Sequence, residues 1–258
     1  MLSVKNITYT IGQKVLLEEV SIDFEPGHLH LIIGPNGAGK STLIKVIGNQ
    51  IVATSGSVFY GEKDILTTSN ADMARIRAVL SQNIELAFPL KVAEIVMMGR
   101  YPHFTGQPAA KDETACTEAM KLFDIADMAE RNYMTLSGGE KQRVHFARVL
   151  SQIWYPVDGQ CRYLLLDEPL TFLDVHYQFD FMHKLVALLK SRDIVVIGVV
   201  HDLNLAAKFA DKIVLLHHGK ILEAGDKYTV LTKDNIKAAY QLEPVMHYEG
   251  DNLYLFFN

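Results

Sequence analysis

The fold of this 258-residue chain is decided by the stretch Gly34-Pro35-Asn36-Gly37-Ala38-Gly39-Lys40-Ser41. It matches the pattern G-x-x-x-x-G-K-[ST] in full, between an apolar run at 29–33 and a segment with helical apolar spacing at 40–49. In such a unit the glycines let backbone N–H groups surround phosphate oxygens at the positive end of a helix. We therefore predict an α/β fold with a nucleotide-phosphate site, in which Lys40 reaches the β- and γ-phosphates and Ser41 binds Mg²⁺.

A second apolar run, at 163–166, ends directly in two carboxylates, Asp167 and Glu168. Parallel strands of α/β proteins bring such residues to the sheet edge where ligands bind. Asp167 would support the Mg²⁺ shell, and Glu168 could polarise a water for in-line attack on a γ-phosphate. Taken alone, the pattern is equally typical of an ordinary strand end, and only the phosphate loop favours the functional interpretation.

A third pattern, at 136–140, predicts the start of a helix. Ser137 and Glu140 have the spacing of a capping box, and the apolar residues that follow repeat along one helical face. The first turn also contains Gly138 and Gly139, so its backbone amides could bind a second phosphate group. From the residues alone, a plain capped helix is the favoured interpretation.

The composition is that of an ordinary globular protein, and it limits the kinds of partner that we expect. It has 25 Lys and Arg against 30 Asp and Glu, a net charge of −5, which argues against nonspecific coating of nucleic acid. The two cysteines, Cys116 and Cys161, are far apart and indicate reduced thiols. Apolar runs such as Ile194–Val200 are far shorter than the roughly 20 residues that span a bilayer, and no signal-peptide segment is visible. We expect a cytosolic protein that would serve a membrane only by docking on an integral partner.

The chain alternates between strand-rich and helix-rich parts. Strand patterns precede and follow the phosphate loop, helical patterns dominate 90–152, and strands return from Arg162. The predicted strands, besides those already given, are Ser3–Tyr9, Lys14–Leu17, Val20–Phe24, Ser57–Tyr60, Ala78–Ser81 and the hairpin Lys212–His217 with Lys220–Ala224. The pattern indicates an α/β domain interrupted by a helical insertion.

With these features in order, and with His201 after the apolar run that ends at Val200, the chain resembles the ATP-binding subunits of ABC transporters over nearly its whole length. The resemblance implies a single ABC ATPase domain at 1–258. Residues 1–82 and 162–258 would form a P-loop NTPase core of RecA-like type with an N-terminal antiparallel β subdomain. Residues 83–161 would form an inserted α-helical subdomain that carries the signature motif.

The resemblance also implies the site residues. Catalysis would depend on Glu168, on the switch histidine His201 and on Gln82, and Mg²⁺ would be held by Ser41, Gln82 and Asp167. ATP would be bound by the phosphate loop from Gly34 through Thr42 and by Tyr9 stacking on adenine. Ser137, Gly138, Gly139 and Glu140 would contact ATP held by the other subunit of a head-to-tail dimer, with Asp174 in the segment between the two sites. Without the resemblance, Tyr9, Gln82 and His201 would be ordinary strand, loop and helix-start residues.

Two departures from the family pattern are visible. The signature ends in Glu140 where Gln is commoner, and Phe172 is bulkier than the usual small residue, which puts packing at a dimer interface in question there. Glu168 is retained, so we expect hydrolysis. A nucleotide-binding regulator without ATPase activity would lack Glu168 or His201, and a P-loop GTPase would carry an Asn-Lys-x-Asp motif, which this sequence does not contain.

Two segments indicate which substrate the transporter would carry, its cargo. The element V-x-x-G-R-x-P-H at 96–103 looks like one in ATPases that serve iron-chelate, haem and vitamin B12 importers, where the region receives a coupling helix of the permease. The same residues also predict a simple helix end at Gly99 and Pro102. The insert at 152–160, with the single Trp, is similar to one in haem-import ATPases. Haem is therefore the favoured cargo, with ferric siderophores and cobalamin as alternatives; the ten His are scattered and indicate no metal site.

The resemblance implies partners and location. We expect a homodimer of ATPase subunits that uses Mg²⁺ with ATP as substrate and binds an integral permease dimer. The ATPase would lie at the cytoplasmic face of a bacterial inner membrane. A periplasmic binding protein would be an indirect partner, and nucleic acid would not be a partner. The alternative from another class is a soluble ABC ATPase acting on nucleic acid or ribosomes. Such proteins carry long coiled-coil insertions or a second cassette, and neither is visible here.

Overall fold

The computed structural model describes residues 1–81, 89–157, 159–191 and 193–257. The strands are β1 (Leu2–Ile11), β2 (Lys14–Phe24), β3 (Leu29–Ile33), β4 (Ser55–Tyr60), β5 (Lys63–Asp64), β6 (Arg77–Leu80), β7 (Arg162–Leu166), β8 (Ile194–Val199), β9 (Lys212–His217), β10 (Lys220–Gly225), β11 (Val245–Glu249) and β12 (Asn252–Phe256). The α-helices are α1 (Lys40–Ile47), α2 (Asn70–Ile76), α3 (Val92–Met98), α4 (Ala110–Leu122), α5 (Gly138–Gln152), α6 (Val175–Ser191), α7 (Leu203–Phe209), α8 (Lys227–Val230) and α9 (Lys233–Tyr240). Among these residues, no helix is both long and apolar enough to cross a membrane.

The central sheet has six strands in the order β10-β9-β3-β8-β7-β6. The pairs β9–β3, β3–β8, β8–β7 and β7–β6 are parallel, and only the edge strand β10 is antiparallel. Strands β3, β7 and β8 are buried along their whole length, which explains their unbroken apolar sequences. Because these three strands are neighbours and parallel, the residues that follow them, Gly34, Asp167 and His201, meet at one edge. The α/β fold with a parallel sheet is confirmed.

A second, four-stranded sheet lies at the N-terminal side, with the order β2-β1-β4-β5 and antiparallel pairing. The prediction of two separate strands within 14–24 was wrong, because β2 is continuous. Its register slips between the pairs Tyr9–Leu17 and Ile7–Val20, so β2 carries one extra residue there, and Glu19 has a φ of +51°. The apolar alternation is interrupted by this bulge, not by the end of a strand.

Helices α3, α4 and α5 occupy the chain between β6 and β7 and pack on one another. Buried apolar residues of this layer, among them Val96, Ala119 and Val144, join one core with the adjacent face of the central sheet. The predicted boundary between residues 82 and 83 lies outside the described residues, so the division into subdomains stays a prediction.

The segment from Gly99 to His103 fastens α3 to the end of α5. A Cβ on Gly99 would overlap the carbonyl oxygen of Arg148, so the two helices can approach this closely only with glycine. The buried Arg100 side chain pairs with the buried Asp112, at 2.9 Å, and its Nη1 donates to the Ser151 carbonyl oxygen at 2.8 Å. His103 Nε2 lies 2.6 Å from the Gln152 carbonyl oxygen. We call Gly99, Arg100 and His103, with the Arg100 partners Asp112 and Ser151, the latch.

The sequence patterns missed or misplaced several other elements. The helix predicted over 40–49 ends at Ile47 with Gly48 as its cap, and α2, α6, α8, α9 and the short strand β5 were not predicted. The helix start expected at His201 corresponds to α7, which Asp202 caps. The hairpin β11–β12 also carried no clear signal. One of its faces is exposed, with Val245 and Phe256 each about half accessible, so apolar residues appear on both sides of the strands.

Candidate functional site

The phosphate loop is held in its curl by close contacts to two flanking strands. Gly34 has a φ of +147°, and a Cβ there would overlap the Leu216 carbonyl oxygen of β9. Gly39 has a φ of +103°, and a Cβ would lie 2.7 Å from the Leu16 carbonyl oxygen of β2. Both positions therefore require glycine for conformation and for space.

Lys40 places the positive charge of the site inside this loop. Its Nζ donates to the carbonyl oxygens of Gly34 at 2.8 Å and Pro35 at 3.0 Å, and the residue is 5% exposed. Burial lowers the pKa of the ammonium, an effect that the carboxylates of Glu168 and Asp167 oppose. A polyphosphate would offer this cation opposite charge at hydrogen-bonding distance, which the two neutral carbonyls cannot.

Asp167 follows β7 directly and is almost completely buried, at 2% exposed. Its backbone N–H donates to the Leu80 carbonyl oxygen at 2.9 Å, which fixes its place at the sheet edge. Burial raises the pKa of the carboxyl, and a hydrogen bond with the Ser41 side chain opposes this. Its Oδ1 has no hydrogen-bond partner within the part of the chain that the structure describes. An unsatisfied carboxylate oxygen beside a hydroxyl fits Mg²⁺, which usually takes one or two carboxylates together with substrate phosphates.

Glu168 is held in an unusual backbone conformation next to His201. Its φ is +51°, a region that costs a non-glycine residue about 1–3 kcal/mol. Its Oε1 lies 2.9 Å from Nε2 of His201. The residue after His201, Asp202, caps α7, because its carboxylate accepts from the backbone N–H of Asn204 and Leu205. The pair thus presents a carboxylate and an imidazole at the same sheet edge as the phosphate loop.

The signature segment starts α5 with the capping box that its spacing predicted. The Ser137 hydroxyl accepts from the Glu140 backbone N–H at 3.3 Å, and the Ser137 backbone N–H donates to Oε2 of Glu140 at 2.7 Å. This second bond holds the pKa of Glu140 below its usual range. Ser137 and Gly138 are exposed, so the start of this helix is open to a ligand outside the chain.

The structure brings together only part of the predicted site. One cleft is lined by Asn36, Gly37, Gly39, Lys40, Ser41, Thr42 and Glu168, together with Lys14 and Leu16 of β2. An adjacent hollow contains Glu168 and His201. The signature residues Ser137 to Glu140 line neither.

The remaining predicted residues lie on other elements. Tyr9 is half-buried on β1, opposite Leu17, and is not among the described residues that line the cleft. Asp174 lies just before α6, where its Oδ1 accepts from the Tyr177 backbone N–H at 3.0 Å. Gln82 lies outside the described residues.

Two residues that contact the site were not singled out from the sequence. Gly219, in the β9–β10 turn, donates its N–H to the Ala38 carbonyl oxygen at 3.0 Å and accepts from the Glu18 backbone N–H at 2.9 Å. Gln142, on α5, donates from Nε2 to the Pro169 carbonyl oxygen at 2.8 Å. The predicted hairpin pointed to a turn at Gly219, but nothing in the local sequence pointed to the contact of Gln142.

Comparison with known proteins agrees with this geometry. Residues 17–171 match the family described as ABC transporter. The chain is 43% identical to the hemin import ATP-binding protein HmuV of Gloeobacter violaceus, over 95% of this chain and 89% of that one. It is 40% identical to the protein of the same name from Escherichia coli O157:H7, over 93% and 92%.

Solved structures share the fold. A chain of an ABC transporter in an inward-facing conformation superposes with a TM-score of 0.82 at 24% identity, covering 100% of this chain and 96% of that one. A dimeric bacterial ABC transporter cassette gives a TM-score of 0.77 at 26% identity, over 88% and 98%. The sequence matches, together with a phosphate loop, an acidic strand end and a signature helix in the expected order, lead to one assignment: the chain belongs to the ABC transporter family, as one of its ATP-hydrolysing subunits.

Proposed function

We propose that this chain powers a bacterial importer of haem by binding and hydrolysing ATP. The observation that carries the hydrolytic part is the Glu168–His201 pair, 2.9 Å apart beside the phosphate loop. The cargo is supported by the hemin import proteins that share 43% and 40% of their aligned residues with this chain. Ferric siderophores and cobalamin are the alternative cargoes.

The residues of the sheet edge divide the chemical work. The loop from Gly34 to Thr42 binds the phosphates, and Lys40 contacts the β- and γ-phosphate oxygens. Ser41 and Asp167 hold Mg²⁺, which neutralises charge on the phosphates when bound. Gln82 is the further residue that we assign to this metal and to catalysis.

Glu168 acts as the general base on the attacking water. It accepts a proton as the water oxygen bonds to the γ-phosphorus, and the bond from that phosphorus to the bridging oxygen breaks. ADP leaves with the bridging oxygen, and inorganic phosphate is formed. His201, hydrogen-bonded to Glu168, orients the carboxylate and contacts the γ-phosphate.

The complete site requires a second copy of the chain. Ser137, Gly138, Gly139 and Glu140 present an exposed helix start that lies outside their own chain's cleft. In a head-to-tail dimer these four residues contact ATP bound to the partner. Asp174 lies in the segment between the two sites, and Tyr9 stacks on the adenine of ATP bound to its own chain. That one of the similar solved cassettes is dimeric supports this arrangement.

The dimer closes on two ATP molecules and drives an integral permease pair at the cytoplasmic face of the inner membrane. A periplasmic binding protein delivers cargo to that permease. The insert at 152–160 makes contacts within the chain: Gln152 donates from Nε2 to the Ala74 and Arg77 carbonyl oxygens at 2.7 and 2.8 Å, and Lys63 donates to Oε1 of Gln160 at 2.6 Å. In this proposal the ATPase acts on the cargo through its partners.

A pull-down from detergent-solubilised membranes of the source cell tests this function. The bait is Glu168→Gln, which keeps the ATP site but lacks the general base, and the matched control is Lys40→Ala, which lacks the phosphate contact. With Mg·ATP, the first bait should recover a permease with many membrane-spanning helices and the control should not. Recovery of only soluble partners, or of nucleic acid, would contradict the importer function and favour a soluble ABC ATPase.

The recovered complex then identifies the cargo. Reconstituted with its binding protein, it should show ATPase activity that haem stimulates more than ferric siderophore or cobalamin does. Stronger stimulation by either of the other two would replace haem as the cargo while leaving the ATPase function in place.

A further inference from the structure

One side chain links the helix that carries the signature segment to the strand end that carries Glu168. Gln142 lies on α5, five residues after Ser137, and its Nε2 donates to the Pro169 carbonyl oxygen at 2.8 Å. Pro169 directly follows Glu168 in the chain. Any displacement of this part of α5 therefore acts on the backbone next to the general base.

The backbone of Glu168 depends on such outside support. Its φ of +51° is unfavourable for a residue with a side chain, and this conformation persists only where neighbours hold it. Pro169 has no N–H to contribute. The two carbonyl groups after the Glu168 Cα are instead held by side chains, since Thr171 Oγ1 donates to the Glu168 oxygen at 3.0 Å and Gln142 donates to the Pro169 oxygen.

The segment that follows, residues 169–174, contacts both α5 and α6. From α6, Gln178 donates from Nε2 to the carbonyl oxygens of Leu170 and Leu173, at 3.3 and 3.0 Å. From the α5 side, Cβ atoms on Gly138 and Gly139 would lie within 4 Å of Phe172 and Leu173. The signature turn, the 169–174 segment and Glu168 therefore form one continuous set of contacts within a single chain.

We propose that Gln142 is a positioning residue that couples the signature helix to Glu168 of the same chain. Nucleotide contacted by Ser137 then adjusts the alignment of the general base at the other site of the dimer. This inference rests on the proposed roles of Ser137 and Glu168.

The test compares two glutamines of the same helix. Gln142→Met removes the amide donor at similar length, and Gln152→Met makes the same change where the amide contacts the Ala74 and Arg77 carbonyls instead. In the purified 258-residue chain, Gln142→Met should lower kcat about tenfold, change the Kd for ATP less than about twofold, and reduce the cooperativity of ATPase activity with ATP concentration. Gln152→Met should keep kcat within about twofold of the parent value, even if it lowers Tm more than Gln142→Met does.

A second variant supplies a readout that lost stability would not produce. Gln142→Glu faces the Pro169 carbonyl with an acceptor when ionised and with an O–H donor when protonated. Its kcat, relative to the parent chain, should therefore rise as the pH falls from 8 to 5.5. A flat ratio, or equal kcat for Gln142→Met and Gln152→Met, would overturn the proposal.

A parallel measurement separates this inference from the proposed function. If Glu168→Gln hydrolyses ATP at the parent rate, the role of Glu168 is wrong and Gln142 has no general base to position. If Glu168→Gln is inactive and Gln142→Met is unchanged, the function stands and only the coupling fails.

Discussion

The latch and the sheet edge of the candidate site differ in how their buried charges are paired. In the latch, Arg100 and Asp112 are both almost fully buried, and they are paired at 2.9 Å, with a further bond from Arg100 to the Ser151 carbonyl oxygen. At the sheet edge, Asp167 is equally buried, yet its Oδ1 has no partner in the described part of the chain. Glu168 beside it holds a strained backbone.

This contrast separates a structural motif from a chemical one. Both segments resemble family motifs in the sequence, but buried polar groups that are fully paired stabilise a fold, whereas unpaired or strained ones mark places where a ligand completes the structure. Of the latch segment, Tyr101 is the exposed part, at 58%, while Arg100 points inward. The segment 96–103 thus contains internal anchors as well as one exposed aromatic side chain.

The largest effect that tests this contrast is at Glu168. Glu168→Gln should lower kcat by about 10²–10⁴-fold, because it removes the proposed general base, and should change the free energy of unfolding by less than about 1 kcal/mol. Steady-state ATPase assays and urea unfolding of the same preparation measure both. If Glu168→Gln kept its activity but lost stability, the role of Glu168 would be to stabilise the fold.

Breaking the latch should give the reverse pattern. Arg100→Ala leaves Asp112 buried without its cation and should cost about 3–5 kcal/mol of unfolding free energy, with kcat at low temperature changed only a few-fold. The control is Lys220→Ala, which removes an exposed ion pair with Glu18 at 2.9 Å and should cost less than about 1 kcal/mol. Equal losses in the two variants would show that the latch is not structural.

The Nδ1 atom of His145, in the helical layer, has no hydrogen-bond partner among the described residues, and a substitution of His145 tests whether such an atom affects only stability. His145 is buried, its Nε2 and the Tyr133 hydroxyl lie 2.7 Å apart, and burial lowers its pKa to about 3. Below pH 6.5 the unfolded chain protonates this ring while the folded chain does not, so stability should fall by about 1.4 kcal/mol per pH unit towards pH 3. In urea unfolding at pH 7 and pH 5, His145→Gln should show a smaller loss than the parent; parallel losses would contradict this.

The smallest effect concerns Asp167. Because burial raises the pKa of its carboxyl, the charged form that prevails above that pKa destabilises the folded chain, and this cost disappears as the pH falls below about 3.8. Asp167→Asn should therefore raise the unfolding free energy at pH 7 by roughly 1 kcal/mol without nucleotide. It should also reduce the rise in Tm on adding Mg·ATP. If Asp167→Asn were less stable than the parent chain without nucleotide, Asp167 would stabilise the fold, as the paired residues of the latch do.

Local patterns predicted the parts of the molecule that local sequence controls. β3, β7 and β8 are buried on both faces, so their apolar runs were visible, and the capping box of Ser137 and Glu140 spans only four residues. The phosphate loop was likewise contained in eight consecutive residues. These elements fix the α/β fold and the place of the site.

Features that depend on distant pairing could not be predicted in this way. The bulge at Glu19 arises from the register between β1 and β2, the bond from Arg100 reaches a carbonyl 51 residues away, and Gln142 reaches one 27 residues away. Family resemblance supplied a role for His201 but not its 2.9 Å contact with Glu168. In each case the sequence contained the residue, and only the fold contained its partner.

The β9–β10 turn offers a way to observe nucleotide binding without altering the site. The Gly219 N–H is hydrogen-bonded to the Ala38 carbonyl oxygen inside the phosphate loop, at 3.0 Å, and the Gly219 carbonyl accepts from Glu18 of the N-terminal sheet. This amide exchanges its hydrogen with solvent only when that junction opens. Its deuterium uptake therefore reports, from outside the loop, how firmly ATP closes the loop against both sheets.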